Sequence, residues 1–442
     1  MGLKTKDKIA IFWFRRDLRL HDNAGLYYAL RSGYPVVPLF IFDRNILDDL
    51  EEKTDARLTF IHKAVSEIRQ ALRQKEADIM VEYGFPEKIW ENLVAGHDIA
   101  EVYTNTDYEP YATDRDKAIY RILKQKDIVF KTCKDQVIFE KQEILSGQGS
   151  PYTVFTPYSR AWKQKLNDFY LKSYPTKKYF RHFHQWHGSA LPSLREMGFE
   201  KTDYDFPPAD VDDTLLKNYA KERDFPAMEA TSRIGVHLRF GTVSIRDLAR
   251  QARAHSDTFL NELIWRDFYQ QILSNFPHVG KGDAFRKAYD LIKWRYDKAD
   301  FKKWCEGKTG YPLVDAGMRQ LNAIGFMHNR VRMVTASFLS KHLLIDWRLG
   351  EAYFAQKLLD YDLAANNGGW QWAAGSGTDA APYFRIFNPA SQAEKFDPKM
   401  EYIKKWVPEF GTDEYPEPMV DHKEARERCL QAYKTALDKA NQ

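Results

Sequence analysis

Three cysteines in 442 residues, Cys133, Cys305 and Cys429, are too few and too scattered for a disulfide framework or for a zinc site built from cysteine pairs. The chain also has no stretch of roughly 18 uninterrupted apolar residues. Its opening residues, "MGLKTKDKIA", hold no apolar core of the kind a signal peptide needs. These absences argue against a membrane span and a secreted, bridge-stapled scaffold, and the expectation is a reducing cytoplasm. Charge is not one-sided either, since 66 Lys+Arg against 62 Asp+Glu leave a formal +4. A polyanion partner must therefore meet a local basic patch. No GxGxxG follows the first apolar run, which removes the ordinary dinucleotide fingerprint. The triplet His182, His184 and His187 has no carboxylate or cysteine beside it at ligand spacing, so no metal is expected.

What the chain has in quantity is aromatic side chains, with 11 Trp, 25 Tyr and 28 Phe making 14% of it. Aromatic-filled cores account for that as well as a stacking site does, so position has to decide. A length of 442 residues exceeds one ordinary core and favours two lobes. From Lys8 to about Asp135 the β-rich runs "IAIFWF", "VVPLFIFD", "DIMVEYG", "AEVYTN" and "DIVFKTC" alternate with amphipathic stretches such as "ARLTFIHKAVSEIRQALRQ". Continuous apolar strands separated by helices predict an α/β open parallel-sheet domain over residues 1–135, its crevice at the carboxyl ends of the strands. Residues 136–205 lose that alternation and fill with Pro, Gly, Ser and aromatic-basic clusters, the composition of a long linker. Over 206–442 helical periodicity takes over, which predicts an all-α domain.

On a helical wheel "FLNELIWRDFYQQI" places Leu260, Ile264, Phe268 and Ile272 on a core stripe and Glu262, Trp265, Arg266 and Tyr269 on a second face. An acid, an indole, a guanidinium and a phenol in register suit a wall that stacks on something flat and hydrogen-bonds its edge. Packing of Trp265 against the other lobe is the alternative. "HNRVRMVTASFL" sets Asn329, Arg332 and Met333 on one side, with Arg330 around the cylinder. If buried, Arg332 needs a counter-ion. Asp360 and Asp362 are the candidates, in a pair that either serves a ligand or only clamps two helices. In "DLAANNGGWQW" a helix running through from Ala352 would set Asp362 and Asn366 one turn apart, with Gly368 and Gly369 ending it beside the asparagine. Trp370, Trp347 and Trp294 would pass a hole from interior to surface if they line up.

The words "FRRDLRLHDN", "NELIWRDFY", "GKTGYPLVDAGMRQL", "GFMHNRVRM", "DLAANNGGWQWAAGSGTDAAPYFRIFNP" and "YPEPMVDHKEARE" resemble the photolyase/cryptochrome flavoproteins over nearly the whole chain. The resemblance is greatest to the class I cyclobutane pyrimidine dimer photolyases of bacteria. It implies an antenna domain followed by a helical domain that holds a U-shaped FAD. Flavin phosphates and ribose would be gripped by Tyr219 and by Thr231, Ser232, Arg233, Ile234 and Gly235, and the isoalloxazine by Asn329, Arg332, Asp360, Asp362 and Asn366. By the same resemblance Glu262, Trp265, Asn329, Met333 and Trp372 line a cavity for a flipped-out thymine dimer. Arg223, Arg330 and Arg385 reach DNA phosphates, and Trp370, Trp347 and Trp294 carry electrons to an oxidised flavin. Tyr108, Glu109 and Lys281 resemble positions that hold a methenyltetrahydrofolate antenna, the alternatives being a deazaflavin or no second chromophore.

The activity implied is light-dependent DNA repair by a carbon-carbon lyase. Photoexcited reduced FAD passes an electron to the dimer, the cyclobutane ring splits and the electron returns, with Glu262 and Asn366 as catalytic residues. The implied partner is ultraviolet-damaged DNA, and the implied protein is monomeric, cytoplasmic, nucleoid-associated when bound to DNA, and free of metal and membrane. A cryptochrome-type blue-light photosensor on the same fold is the alternative. The dimer-cavity residues, an asparagine at 366 where plant-type cryptochromes carry aspartate, and an end at "ALDKANQ" without a signalling extension favour repair.

Overall fold

The computed structural model describes residues 8–440 and 442. The chain packs as two units. One comprises residues up to Glu140 together with Lys165–Val211 and Arg233–Ala254, and the other comprises Lys141–Gln164, Asp212–Ser232 and His255–Gln442.

In the first unit β1 (Ile9–Phe14), β2 (Val36–Asp43), β3 (Met80–Gly84), β4 (Ile99–Asn105) and β5 (Val129–Cys133) form a parallel sheet in the order β3-β2-β1-β4-β5. Every residue of β1 and β2 is buried, which is why those runs read as continuously apolar, whereas the edge strand β5 is largely exposed. Ile11 pairs with Val37 on one side and Val102 on the other, so strand order reverses at β1. The helices Ala56–Arg73, Pro86–Gly96 and Pro110–Lys124 match the expected amphipathic stretches. A further short helix, Ala24–Leu30, starts directly after "FRRDLRLHDN". Its sequence, AGLYYAL, has no polar stripe for periodicity to detect. Its cap is Asn23, whose side chain accepts from the Leu26 N–H at 3.0 Å.

The charges of that motif are spent inside the sheet unit. Arg19 Nη2 meets Asp135 Oδ2 at 2.7 Å, Arg246 Nη2 meets Asp135 Oδ1 at 2.8 Å, and Arg246 Nε meets Asp22 at 3.0 Å, all buried. Buried ions must be paired, and this network ties Arg233–Ala254 to the sheet. Gly241 completes the junction at φ +65, where a Cβ would lie 2.2 Å from the Arg16 carbonyl oxygen. The helical periodicity expected here is real, in Gly235–Phe240 and Ile245–His255, but these helices pack within the sheet unit. The segment expected as a linker is likewise shared, Lys141–Gln164 packing with the helices and Lys165–Val211 with the sheet.

The second unit is helical. Asp257–Asn275, Pro312–Ile324, Asn329–Ser337, Trp347–Lys357 and Leu363–Ala374 surround a core that buries Trp304, Met318, Val331, Phe338, Phe354 and Trp370. Leu260, Ile264, Phe268 and Ile272 form the buried stripe read on the wheel. The run "DLAANNGGWQW" departs from expectation. The preceding helix stops at Lys357, Asp362 caps a new one, and both Gly368 and Gly369 lie inside it. A Cβ at Gly368 would sit 2.2 Å from the Tyr269 ring, so this glycine admits a neighbouring helix and does not end its own. The stop is Gly375, at φ +88. Among the described residues no helix is long and apolar enough to cross a membrane, and no group of three or more His, Cys, Asp or Glu is placed to hold a metal ion.

Candidate functional site

In the helical unit Leu363–Ala374 packs on both Asp257–Asn275 and Asn329–Ser337, and this brings the expected ring-binding residues together. Asp362 Oδ1 accepts from the Ala365 N–H at 3.2 Å, and the Asn366 N–H donates to the Asp362 carbonyl at 2.8 Å, so the two side chains are one turn apart. Gln270, which sequence reasoning missed, donates from Nε2 to both Asp362 carboxylate oxygens at 3.1 and 3.2 Å. It is 2% exposed, and its Oε1 is buried with no partner. Its only signal in the sequence was a polar residue flanking the core stripe of an otherwise apolar helix face. Arg332 does find its counter-ion: Nη2 lies 3.1 and 3.0 Å from the Asp360 oxygens, and Nε donates to the Met327 carbonyl at 2.7 Å. Of the two candidate aspartates, then, Asp360 neutralises the guanidinium while Asp362 binds Gln270.

Asn366 is oriented from the helix Trp347–Lys357. Its Nδ2 donates to the Glu351 carbonyl at 3.1 Å, and an amide whose nitrogen faces the main chain presents its oxygen on the opposite side. The Glu351 carboxylate accepts from Asn367 Nδ2 at 3.0 Å, and burial pushes its carboxyl up to about 7. Glu351 was also missed, since a single acid among exposed helix residues carries no pattern. An unspent buried amide oxygen, a carboxylate, a neutralised guanidinium and a neutral amide fit a planar heteroaromatic ring with donors and acceptors along its edges, which is the chemistry of an isoalloxazine.

The second face of Asp257–Asn275 carries Glu262 and Trp265, both half-buried. Trp265 stacks on Phe155, a residue of the same unit, with Tyr269 tilted beside it at 5.4 Å. Glu262 is ion-paired with Arg223, whose guanidinium also lies 5.3 Å over the Tyr219 ring. Asp224 continues the chain of charges to Arg330 Nη2 at 2.8 Å. Two of the three arginines expected at phosphates, Arg223 and Arg330, are thus held by carboxylates. Arg330 does not point around the cylinder, because its Nη1 lies 3.9 Å from Met333 Sδ and its guanidinium 4.4 Å over the Phe396 ring. Asn329 Nδ2 approaches the same sulfur at 4.0 Å. Trp372 is half-buried, 6.4 Å from Phe387. Arg385 is exposed, and its carbonyl accepts from the buried Lys341 at 2.9 Å.

Trp347 and Trp370 are 1% and 2% exposed in one apolar cluster, with the half-buried Trp294 packed against it. Trp304, overlooked in the sequence, lies 6.0 Å from Trp370. The expected phosphate-gripping segment spans a boundary, for Tyr219, Thr231 and Ser232 belong to the helical unit and Arg233, Ile234 and Gly235 to the sheet unit. In the sheet unit Tyr108 is buried and donates to Glu140 at 2.6 Å, while Glu109 takes Arg16 at 2.7 Å and also Arg239. Lys281 is exposed on a 3-10 turn of the helical unit.

Two family models match this chain, one described as DNA photolyase over residues 10–178 and one as the FAD binding domain of DNA photolyase over residues 259–412. Deoxyribodipyrimidine photo-lyase of Escherichia coli is 38% identical, across 96% of this chain and 98% of its own length. The solved structure of a bacterial class III photolyase from Agrobacterium tumefaciens covers 99% of both chains at 33% identity and a TM-score of 0.86. An archaeal photolyase from Sulfolobus tokodaii, solved with two FAD molecules, covers 96% of this chain and 99% of its own at 34% identity and a TM-score of 0.79. With likeness of this extent across both units, the chain belongs to the photolyase/cryptochrome family.

Proposed function

We propose that this chain is a deoxyribodipyrimidine photo-lyase that holds FAD in its helical unit and splits cyclobutane pyrimidine dimers in ultraviolet-damaged DNA under light. The observation that carries the reading is the 38% identity, over 96% of this chain, to a protein of that name. FAD, when bound, supplies the photoexcitable electron donor. Asp362, held by Gln270, fixes one polar edge of the ring. Arg332 contributes positive potential where charge accumulates, moderated by Asp360, and Asn366 offers an acceptor oxygen that stays neutral at any working pH. Tyr219, Thr231 and Ser232 take the phosphates.

Trp265 and Trp372 provide the apolar walls for an extruded dimer, Glu262 and Asn329 its hydrogen-bonding edge, and Met333 a deformable contact. Extrusion costs least at a lesion, whose bases are already poorly stacked. Arg223, Arg330 and Arg385 take backbone phosphates. The first two must exchange Glu262 and Asp224 for phosphate, which leaves Glu262 available to the lesion. Trp370, Trp347 and Trp294 serve electron transfer. A methenyltetrahydrofolate antenna is supported by the resemblance of Tyr108 and Glu109, and extraction of a deazaflavin or a second flavin would overturn it. The protein acts as a monomer.

The test is illumination of the reduced holoprotein with an oligonucleotide carrying one thymine dimer. Conversion to intact thymines in the light and none in the dark is expected. Dimers that persist under illumination would select a blue-light sensor.

A further inference from the structure

One face of Trp265, the indole read as a wall of the dimer pocket, is already covered. The Phe155 ring lies on it with centroids 3.6 Å apart and planes within 3° of parallel. That spacing is close to the rise of about 3.4 Å per base in a strand of DNA. Aromatic side chains left to themselves prefer offset or edge-to-face pairs, as Phe268 shows, edge-on to Trp265 at 5.6 Å and 83°. Phe155 therefore occupies a flat, base-like position on one face of this indole. Both rings are half-buried, so an incoming group can reach the pair. Phe155 is the first residue of the helix Phe155–Lys165, its N–H held by Asp379 Oδ2 at 3.2 Å, and the nearby Thr153 carbonyl accepts from Thr378 Oγ1. The main chain is anchored while the side chain sits at a helix start, so the ring can swing about its own bonds without unwinding anything.

We propose that Phe155 is a stand-in for the extruded base, stacked on Trp265 when no DNA is bound and displaced when the lesion enters. This rests on the reading of Trp265 as a wall of the dimer pocket. Until a lesion arrives, the ring keeps an indole face out of water. A dimer that enters must replace one stack with another, whereas undamaged DNA bound without extrusion never meets Phe155.

The experiment measures binding of the holoprotein to a thymine-dimer oligonucleotide and to its undamaged twin. The proteins compared are the unaltered chain, Phe155→Ala, Phe155→Leu, Trp265→Ala and the Phe155→Ala/Trp265→Ala double variant. Phe155→Ala is expected to bind the dimer about fivefold tighter, the worth of one aromatic pair, with no change for undamaged DNA. The gain should vanish in the Trp265→Ala background. Phe155→Leu, which cannot stack, should move in the same direction and carries the test if the alanine variant does not fold. Weaker or unchanged dimer binding by the folded Phe155 variants overturns the proposal and makes Phe155 a fixed wall. If Trp265→Ala alone keeps full dimer affinity, the pocket reading fails, and the proposal with it.

Discussion

Gln270 spends its amide nitrogen on both oxygens of Asp362 while its own oxygen is buried without a partner. Gln270→Ala would strip the carboxylate of that donor, and a hydrogen bond to a charged group is worth about 1.5–3 kcal/mol. Flavin affinity measured by equilibrium dialysis should fall by about tenfold or more. Unchanged affinity would reduce Gln270 to a clamp between two helices. Glu351 makes a different prediction. Burial lifts its carboxyl from the usual 4.5 to about 7, so the folded protein binds a proton that the unfolded chain has lost across that window. Stability from this group is full below about 4.5 and is lost as pH rises through about 7, on the order of 3 kcal/mol in all. Glu351→Gln should flatten that decline, read from denaturant unfolding at about pH 5 and about pH 7.5. His328 and His342, pushed down by burial to about 4 and about 3, act in the opposite sense, but they are common to both proteins and cancel. Arg332 shows where residue-scale reading ends. Its need for a counter-ion follows from charge and burial alone, yet two aspartates at suitable spacing were indistinguishable until the fold brought Asp360 to it.

At the scale of elements, glycine is where reading and structure part. A glycine pair in a helical run lowers helix propensity whatever its purpose, so a stop and a close helix contact look alike in one dimension. Leu363–Ala374 needs Gly368 because the Tyr269 ring of Asp257–Asn275 presses against it, 2.2 Å from where a Cβ would stand. Gly368→Ala should therefore destabilise the protein by about 1–3 kcal/mol through overpacking, although alanine is the better helix former. Denaturant unfolding checks this, and a stabilised variant would show that the two helices are free to move apart. Strands and long helices were legible for the converse reason. Burial on both faces makes β1 and β2 uniformly apolar, and the helical spacing of Leu260, Ile264, Phe268 and Ile272 gives Asp257–Asn275 its buried stripe. The helix Ala24–Leu30 lacks both signatures, and so does the break between Lys357 and Leu363, where the capping by Asp362 is a single side-chain bond.

For the whole molecule, Trp347 and Trp370 lie in the interior of the helical core and Trp294 at its partly open edge. A hole formed inside is stabilised where water can solvate it, so the half-buried member is the natural end of the series. Trp294→Phe should slow photoreduction of oxidised flavin severalfold, followed by absorption under steady illumination, and leave repair by chemically reduced enzyme unchanged. Equal photoreduction would remove Trp294 from the path. The same scale explains how the chain is divided. Arg246 is separated by 111 residues from the Asp135 it neutralises, and that pairing places a helical segment with the sheet.

By itself the sequence determined the two kinds of layer, the alternation of strand and helix and then helix alone, because burial on one face or on both imprints a period that a linear reading detects. It also determined the family, through long runs of matching residues. The tertiary structure alone decided that Asp360 and not Asp362 answers Arg332, that Gly368 is a contact and not a stop, that Phe155 covers Trp265, and that residues 233–254 pack with the sheet. Each of these depends on which distant surfaces meet, and a meeting between residues far apart in the chain leaves no periodic trace in the order of the amino acids.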